Sequence, residues 1–339
     1  MLFEIKQREA LIKSTVPTTL YFGGGTPTIL ESGYLEKIMD KIFQITGNTF
    51  EEITIESNPD DLSIEKLKEI LALGFNRLSI GIQTFNETFL NFTNRAHTKE
   101  EALQSYEDAR KAGFDNINLD LIYGIPGSTM ADLEEDLNQI RRLYPEHISI
   151  YGMTIEENTA FGRWLKKGDL IKQTEEDEAS YYNKILKFMG DVGYDHYEIS
   201  NFSLPGYKSL HNSGYWNLSP YIGIGPGAHS FDGKDRWWNI SNNAQYIKHI
   251  EQGKSFFEVE KYNPVERIND YILTSLRTKE GIDTLFLLKK FNHDIINQSK
   301  KVIEVYREGG FLYLENKRLG LTSKGKLISD QISSDLFID

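Results

Sequence analysis

Five short runs of alternating residues constrain this fold more than any other feature: 20–22, 52–56, 77–83, 116–122 and 147–151. Stretches with helical spacing lie between them, at 35–43, 64–72, 99–112 and 130–143, with Gly74 and Gly113 as stop signals. Strands alternating with helices of this length make βαβ units, and those make a parallel sheet. Successive strand residues point to opposite faces. One face carries Ile53, Ile55, Leu78, Ile80, Ile82, Ile117, Leu119, Leu121, Ile148 and Ile150. The other carries Thr54, Glu56, Ser79, Gln83, Asn118, Asp120, Ser149 and Tyr151. A parallel sheet covered on both sides would be apolar on both. Unpaired carboxylates and amides are costly to bury, so the polar face is expected to line a wet or ligand-filled cavity. Its polarity is concentrated toward the C-terminal strand ends, where parallel α/β folds hold their ligands.

The first strand runs into Tyr21-Phe22-Gly23-Gly24-Gly25-Thr26-Pro27-Thr28. Three residues without a Cβ let a ligand lie against the backbone, and the N–H groups of such a turn can hold a carboxylate or phosphate. Taken alone, a tight turn from strand to helix accounts for the same residues. Before it, 2–13 reads as the tail of an amphipathic helix with Leu2, Ile5, Glu9 and Ile12 at helical spacing and no entry cap. From about Asn158 the alternation fades. A helix at 176–189 leads to a loop dense in aromatics and glycine, His211-Asn212-Ser213-Gly214-Tyr215-Trp216, then Tyr221-Ile222-Gly223-Ile224-Gly225-Pro226-Gly227-Ala228-His229. Helices at 265–277, 285–290 and 295–308, followed by a small hairpin at 311–321, resemble a winged-helix unit. The expected division is therefore 1–165, 166–260 and 261–339.

The formal net charge of −12 argues against a nucleic-acid surface, which needs a basic stripe. No apolar run is long enough to span a bilayer, and the start is unlike a signal peptide. A cytoplasmic protein is expected. There is no cysteine, so the printed residues offer no disulfide, thiolate nucleophile or cysteine-held metal.

In combination, the glycine turn, Glu56-Ser57-Asn58-Pro59, Ser79-Ile80-Gly81-Ile82-Gln83-Thr84-Phe85, Asn118-Leu119-Asp120-Leu121-Ile122-Tyr123-Gly124-Ile125-Pro126 and the segment 223–229 resemble radical S-adenosylmethionine (SAM) proteins. They are similar to oxygen-independent coproporphyrinogen III oxidases and their relatives, from the first residues to the last helix. His211-Asn212-x-x-Tyr215-Trp216 resembles the haem-binding pattern of that group's haem-chaperone branch, as does 265–339 its C-terminal domain. The resemblance implies an α/β fold, an incomplete parallel βα barrel with a C-terminal, mostly helical, winged-helix-like domain. It implies a SAM site of Gly24, Gly25 and Thr26 at the methionine end, with Glu56, Gln83, Arg95 and Asp120 as further contacts and Gly152 and His229 near the nucleoside. Arg95 suits a carboxylate through its planar fork. Singly, Glu56 or Asp120 reads as a cap or ion-pair member and Arg95 as a surface charge; together at matching strand ends they read as a site.

The family also holds a [4Fe–4S] cluster on C-x-x-x-C-x-x-C in the loop after its first strand. The resemblance implies that this strand, the loop and the start of the first helix precede Met1. A misplaced start or a shortened chain is expected, Leu20–Phe22 becomes a sheet edge, and the printed chain is not expected to do radical chemistry alone.

Three functions follow. The first is a haem chaperone that binds SAM and haem, with His211 as candidate iron ligand, and carries haem to acceptors such as membrane respiratory enzymes. Alternatively, His211 is hydrogen-bonded inside an aromatic plug. The second is SAM-dependent oxidative decarboxylation of coproporphyrinogen III. The third is a barrel that has lost its cofactor and serves as an interaction module. The His-Asn-x-x-Tyr-Trp pattern favours the first.

Overall fold

The computed structural model describes residues 1–47 and 49–338. Seven strands form one sheet: β1 Thr19–Phe22, β2 Glu52–Ser57, β3 Arg77–Gln83, β4 Ile117–Tyr123, β5 His147–Gly152, β6 Asp195–Glu198 and β7 Asn201–Ser203. Their spatial order is β1-β2-β3-β4-β5-β7-β6. Strands β2 to β5 pair in parallel, and β7 then pairs antiparallel with both β5 and β6. This is the expected α/β architecture of an incomplete βα barrel, with β1 at one end of the sheet. The helices Ile64–Ala72, Lys99–Ala112 and Met130–Leu143 fall where their apolar spacing puts them. Thr98 and Thr129 open the last two with reciprocal capping boxes. All ten residues of the apolar strand face are no more than 3% exposed, each contributing about 1.5–3 kcal/mol of burial. β6 and β7 were not expected; they are four and three residues long, too short and too polar for an alternation signal.

The chain divides into two compact units. One is Tyr21–Glu31 with Ile53–Ser209; the other is Met1–Leu20, Ser32–Glu52 and Leu210–Asp339. The expected segment 1–165 thus contributes to both, because the chain crosses from one unit to the other within β1 and β2.

In the unit containing the N-terminus, the expected single helix over 2–13 is two, Leu2–Gln7 and Glu9–Thr15, broken at Arg8. Its buried stripe is Glu4, Ile5, Arg8 and Ile12, whereas Leu2 is exposed. The reason is a buried polar cluster. Glu4 is fully buried and pairs with Arg8 at 3.0 Å. Its carboxylate accepts the Gly225 N–H (2.8 Å), Asn239 Nδ2–H (2.8 Å) and the Tyr246 hydroxyl. Arg8 donates onward to Asn239 Oδ1 (2.7 Å) and Ser230 Oγ (3.2 Å). These bonds tie the glycine-rich 223–229 turn and the strands His229–Phe231 (β8) and Arg236–Asn239 (β9) to the first helix. β9 lies between β8 and β10, Phe257–Glu260.

The C-terminal part of this unit has the winged-helix-like layout expected. Helices Pro264–Leu276, Thr284–Phe291 and Lys300–Glu308 precede a hairpin of β12 Leu312–Glu315 and β13 Arg318–Leu321. The two-residue β11, Ile282–Asp283, joins the hairpin in the order β11-β13-β12. Ile268, Ile272, Leu276, Leu287, Leu319 and Ile332 are among its core. Among the described residues no helix is long and apolar enough to cross a membrane.

Candidate functional site

The polar strand face has a buried floor and a half-buried rim. On the floor, pairing sets Asn118 between Ser79 and His147. Asn118 Nδ2 donates to Ser79 Oγ (2.7 Å) and to Asp120 Oδ1 (2.8 Å), and Ser79 Oγ donates to Asp120 Oδ2 (3.1 Å). With its amide so committed, Asn118 turns its Oδ1 to His147, 2.6 Å from Nδ1. His147 therefore carries its proton on Nδ1, and Nε2 accepts the Tyr197 hydroxyl at 2.7 Å. Complete burial, and then Arg77, hold His147 well below the usual imidazole range. Arg77, on the same face, is 2% exposed and is electrostatically coupled to Asp120 and Tyr21. Sequence reading missed Arg77, His147 and Tyr197, although strand alternation alone puts Arg77 and His147 on the polar face.

The rim is built by strand ends of the same unit. Glu56, at the end of β2, takes the Tyr21 hydroxyl on Oε1 (2.6 Å) and the Gly24 N–H on Oε2 (3.1 Å). Burial and the Glu56 charge raise the Tyr21 pKa far above the normal phenol range, so it stays a donor. A Cβ at Gly23 would stand 2.6 Å from the Tyr21 ring and 2.8 Å from the Glu56 carboxylate; only glycine fits. Gly24 sits at φ +86°, and a Cβ at Gly24 or Gly25 would meet open space. Asn58 then bridges the glycine turn to β3: its Nδ2 donates to Thr26 Oγ1 (2.9 Å), and its Oδ1 accepts Arg95 NH2 (2.7 Å). Arg95 also donates to the Gly81 carbonyl (3.0 Å) and is coupled electrostatically to Asp60 and Asp120. A Cβ at Gly81 would lie 2.9 Å from Gln83 Nε2 and 3.2 Å from Arg95 NH2. Burial raises the Asp120 pKa, against the lowering effect of Ser149, Asn118, Ser79 and Arg77.

Gly24, Thr26, Glu56, Gln83, Arg95 and Asp120 are thus brought to one stretch of sheet rim. Gly25 continues the same turn. Gly152 ends β5, paired with Tyr123, whose ring a Cβ there would meet at 3.1 Å; close packing accounts for this glycine. The rim offers two carboxylates, an amide, a guanidinium and open glycine backbone, a donor and acceptor set that fits a ligand carrying an ammonium, a carboxylate and hydroxyl groups. An iron–sulfur cluster does not fit: the chain has no cysteine. Among the described residues no group of three or more His, Asp or Glu is placed to hold a metal. No electron-transfer step is assigned to these residues.

His229 and His211 belong to the other unit. His229 opens β8, is exposed, and has its ring 6.0 Å from that of Trp238. The expected aromatic loop around His211 is instead a helix, Leu210–Trp216. Glu52 accepts the N–H groups of Leu210 (2.8 Å) and His211 (3.0 Å), a negative charge at the helix start. One turn apart, His211 and Tyr215 share a helix face, with His211 Nε2 2.9 Å from the Tyr215 hydroxyl. His211 Nδ1 lies 3.0 Å from Thr19 Oγ1. Tyr215 packs edge-on to Tyr221 at 4.8 Å, and Arg277 sits 5.4 Å over Trp216.

Comparison with known proteins agrees with this architecture. The radical SAM superfamily profile matches residues 4–140. The chain is 35% identical over 317 residues to heme chaperone HemW of Bacillus subtilis (strain 168), covering 93% of this chain and 84% of that protein. It is 34% identical over 327 residues to heme chaperone HemW of Lactococcus lactis subsp. lactis (strain IL1403), covering 95% and 85%. Among solved structures, coproporphyrinogen III oxidase (HemN) of Escherichia coli, a radical SAM enzyme, superposes with a TM-score of 0.80. It does so at 22% identity over 99% of this chain and 84% of that one, a likeness of fold.

Proposed function

Since the chain belongs to the haem-chaperone (HemW) family of radical SAM proteins, we propose that it binds haem and SAM and passes haem to acceptor proteins. Membrane respiratory enzymes are the acceptors we favour, reached from the cytoplasm. The observation that carries the reading is the His211 helix, in which an imidazole and a phenol share one face beside further aromatic rings. A neutral imidazole is a haem-iron ligand, and Nε2 becomes available when the Tyr215 hydroxyl turns away. Titration of haemin into the wild type and His211→Ala tests it: the variant loses the axial-ligand signature of the Soret band and binds more weakly. Identical spectra and affinities remove His211 from the role.

SAM is assigned to the rim of the sheet. Gly24, Gly25 and Thr26 lie against its methionine end, Arg95 meets its carboxylate, and Glu56, Gln83 and Asp120 take its ammonium and ribose hydroxyls. Gly152, at the end of β5, completes the set on the nucleoside side. The part of these residues is to bind and orient SAM. Calorimetric titration of SAM into the wild type and Asp120→Ala tests the assignment. Conversion of coproporphyrinogen III to protoporphyrinogen IX would replace the chaperone reading with the oxidase.

A further inference from the structure

We propose that Asp136 and His97 are positioning residues of the cofactor site: they clamp a strained turn at the end of β3 and thereby present Gln83 to the rim. The inference rests on the SAM reading of that rim. Between Ile80, paired with Leu119, and Gln83, paired with Leu121, β3 takes three steps while β4 takes two. The extra residue is absorbed in a bulge. Within it Gln83 has φ +69° although it is not glycine, and the Thr84 N–H donates to the Ile82 carbonyl at 2.9 Å. A three-residue turn with a positive central φ is the rare and strained hand of the γ-turn. Such a conformation persists only when its surroundings over-determine it.

The surroundings here are two buried ionisable side chains from different elements. His97, 3% exposed and just ahead of the helix Lys99–Ala112, donates Nε2–H to the Ile82 carbonyl at 3.1 Å. Asp136, 8% exposed on the helix Met130–Leu143, accepts the Thr84 hydroxyl at 2.8 Å and the Phe85 N–H at 2.7 Å. The clamp grips the residues on both sides of Gln83 and leaves its side chain alone. That side chain has no hydrogen-bond partner among the described residues. It folds over Gly81 beside Arg95, where any larger residue at 81 would collide with it. The hydrogen bonds of Asp136 and His97 go to the turn and not to the rim, although His97 also feels the Arg95 charge.

Two cycles test the proposal, with Asp136→Asn as the near-isosteric variant and Thr84→Val as the alternative should Asp136→Asn not fold. In urea unfolding, Gln83→Gly removes the strain: it raises the midpoint in the wild type and gains less in the Asp136→Asn or Thr84→Val background, where the turn has already relaxed. Equal increments in both backgrounds overturn the clamp. In SAM titration by calorimetry, Asp136→Asn and His97→Gln each lose affinity on the order of tenfold, about the worth of one hydrogen bond to a charged ligand. Neither lowers affinity further once Gln83 is alanine. A loss of the same size in the Gln83→Ala background overturns the route through Gln83. If the wild type binds no SAM, the rim assignment falls, while the unfolding cycle still decides whether the clamp exists.

Discussion

Two groups of polar residues, one in each unit, differ in how completely the protein answers them. Around Glu4 the partners are internal: Arg8, Asn239, Tyr246 and the Gly225 N–H surround a carboxylate with no exposed surface. Along the strand-end rim, Glu56, Arg95 and Asp120 are half-buried, Gly24 and Gly25 face open space, and the Gln83 side chain has no hydrogen-bond partner among the described residues. Low dielectric makes the first cluster expensive to break and unrewarding to build. The second remains partly wet until something displaces the water. Polarity that holds a fold is closed upon itself, and polarity that awaits a ligand is open on one side.

The sharpest test of that contrast is Glu4→Ala, which strands the Arg8 charge and three donors. It is expected to cost about 3–5 kcal/mol in urea unfolding with SAM affinity unchanged in the folded fraction. An equal stability loss from Asp120→Asn would break the comparison, because burial already disfavours the Asp120 charge and the amide gives up only one acceptor, to Ser79 or Asn118, a cost of about 1 kcal/mol.

Next in size is a pH effect at Asp136. Burial pushes its pKa up to about 6 from the ordinary 3.8, against the Phe85 and Thr84 hydrogen bonds and with help from Glu135 and Asp132 on its own helix; the Tyr181 phenol lines the same cavity. The folded state holds this proton more tightly than the unfolded one. Its contribution is thus complete below pH 4 and is lost as pH rises through 6, a decline of about 3 kcal/mol. Unfolding of Asp136→Asn should lack that slope between pH 4 and 7; an unchanged slope would assign it elsewhere.

On the open side, Asp120→Ala should weaken SAM binding by about 1.5–3 kcal/mol, the range for a hydrogen bond to a charged group, read by calorimetry. The smallest effect expected is at Tyr215→Phe. Freeing His211 Nε2 from one hydrogen bond should tighten haemin binding by about 1 kcal/mol, and weaker binding would mean that the phenol itself contacts the macrocycle.

What the sequence made legible was whatever repeats locally. The helices Ile64–Ala72, Lys99–Ala112 and Met130–Leu143 and strand β3 carry their own periodicity and caps, and the carboxylates of the rim could be placed by strand alternation. Glu4 and Arg8 were not legible because their partners, Asn239 and Tyr246, lie more than 220 residues away; a charge on a helix carries no local sign that it turns inward. Nor did any glycine announce the turn at Gln83, since its positive φ is imposed by Asp136 and His97 rather than chosen by the residue. The helix at His211 was read as a loop because glycine and asparagine dilute its helical pattern, and its start depends on Glu52, far off in sequence.

His147 has a consequence of its own. A ring that is wholly enclosed, gives its one proton to Asn118 and takes another from Tyr197 will not gain charge as a cell acidifies. The floor beside Asp120 is therefore mute to physiological acidity, and a pH dependence of ligand capture has to enter elsewhere, at the rim carboxylates, the ligand or the Asp136 turn.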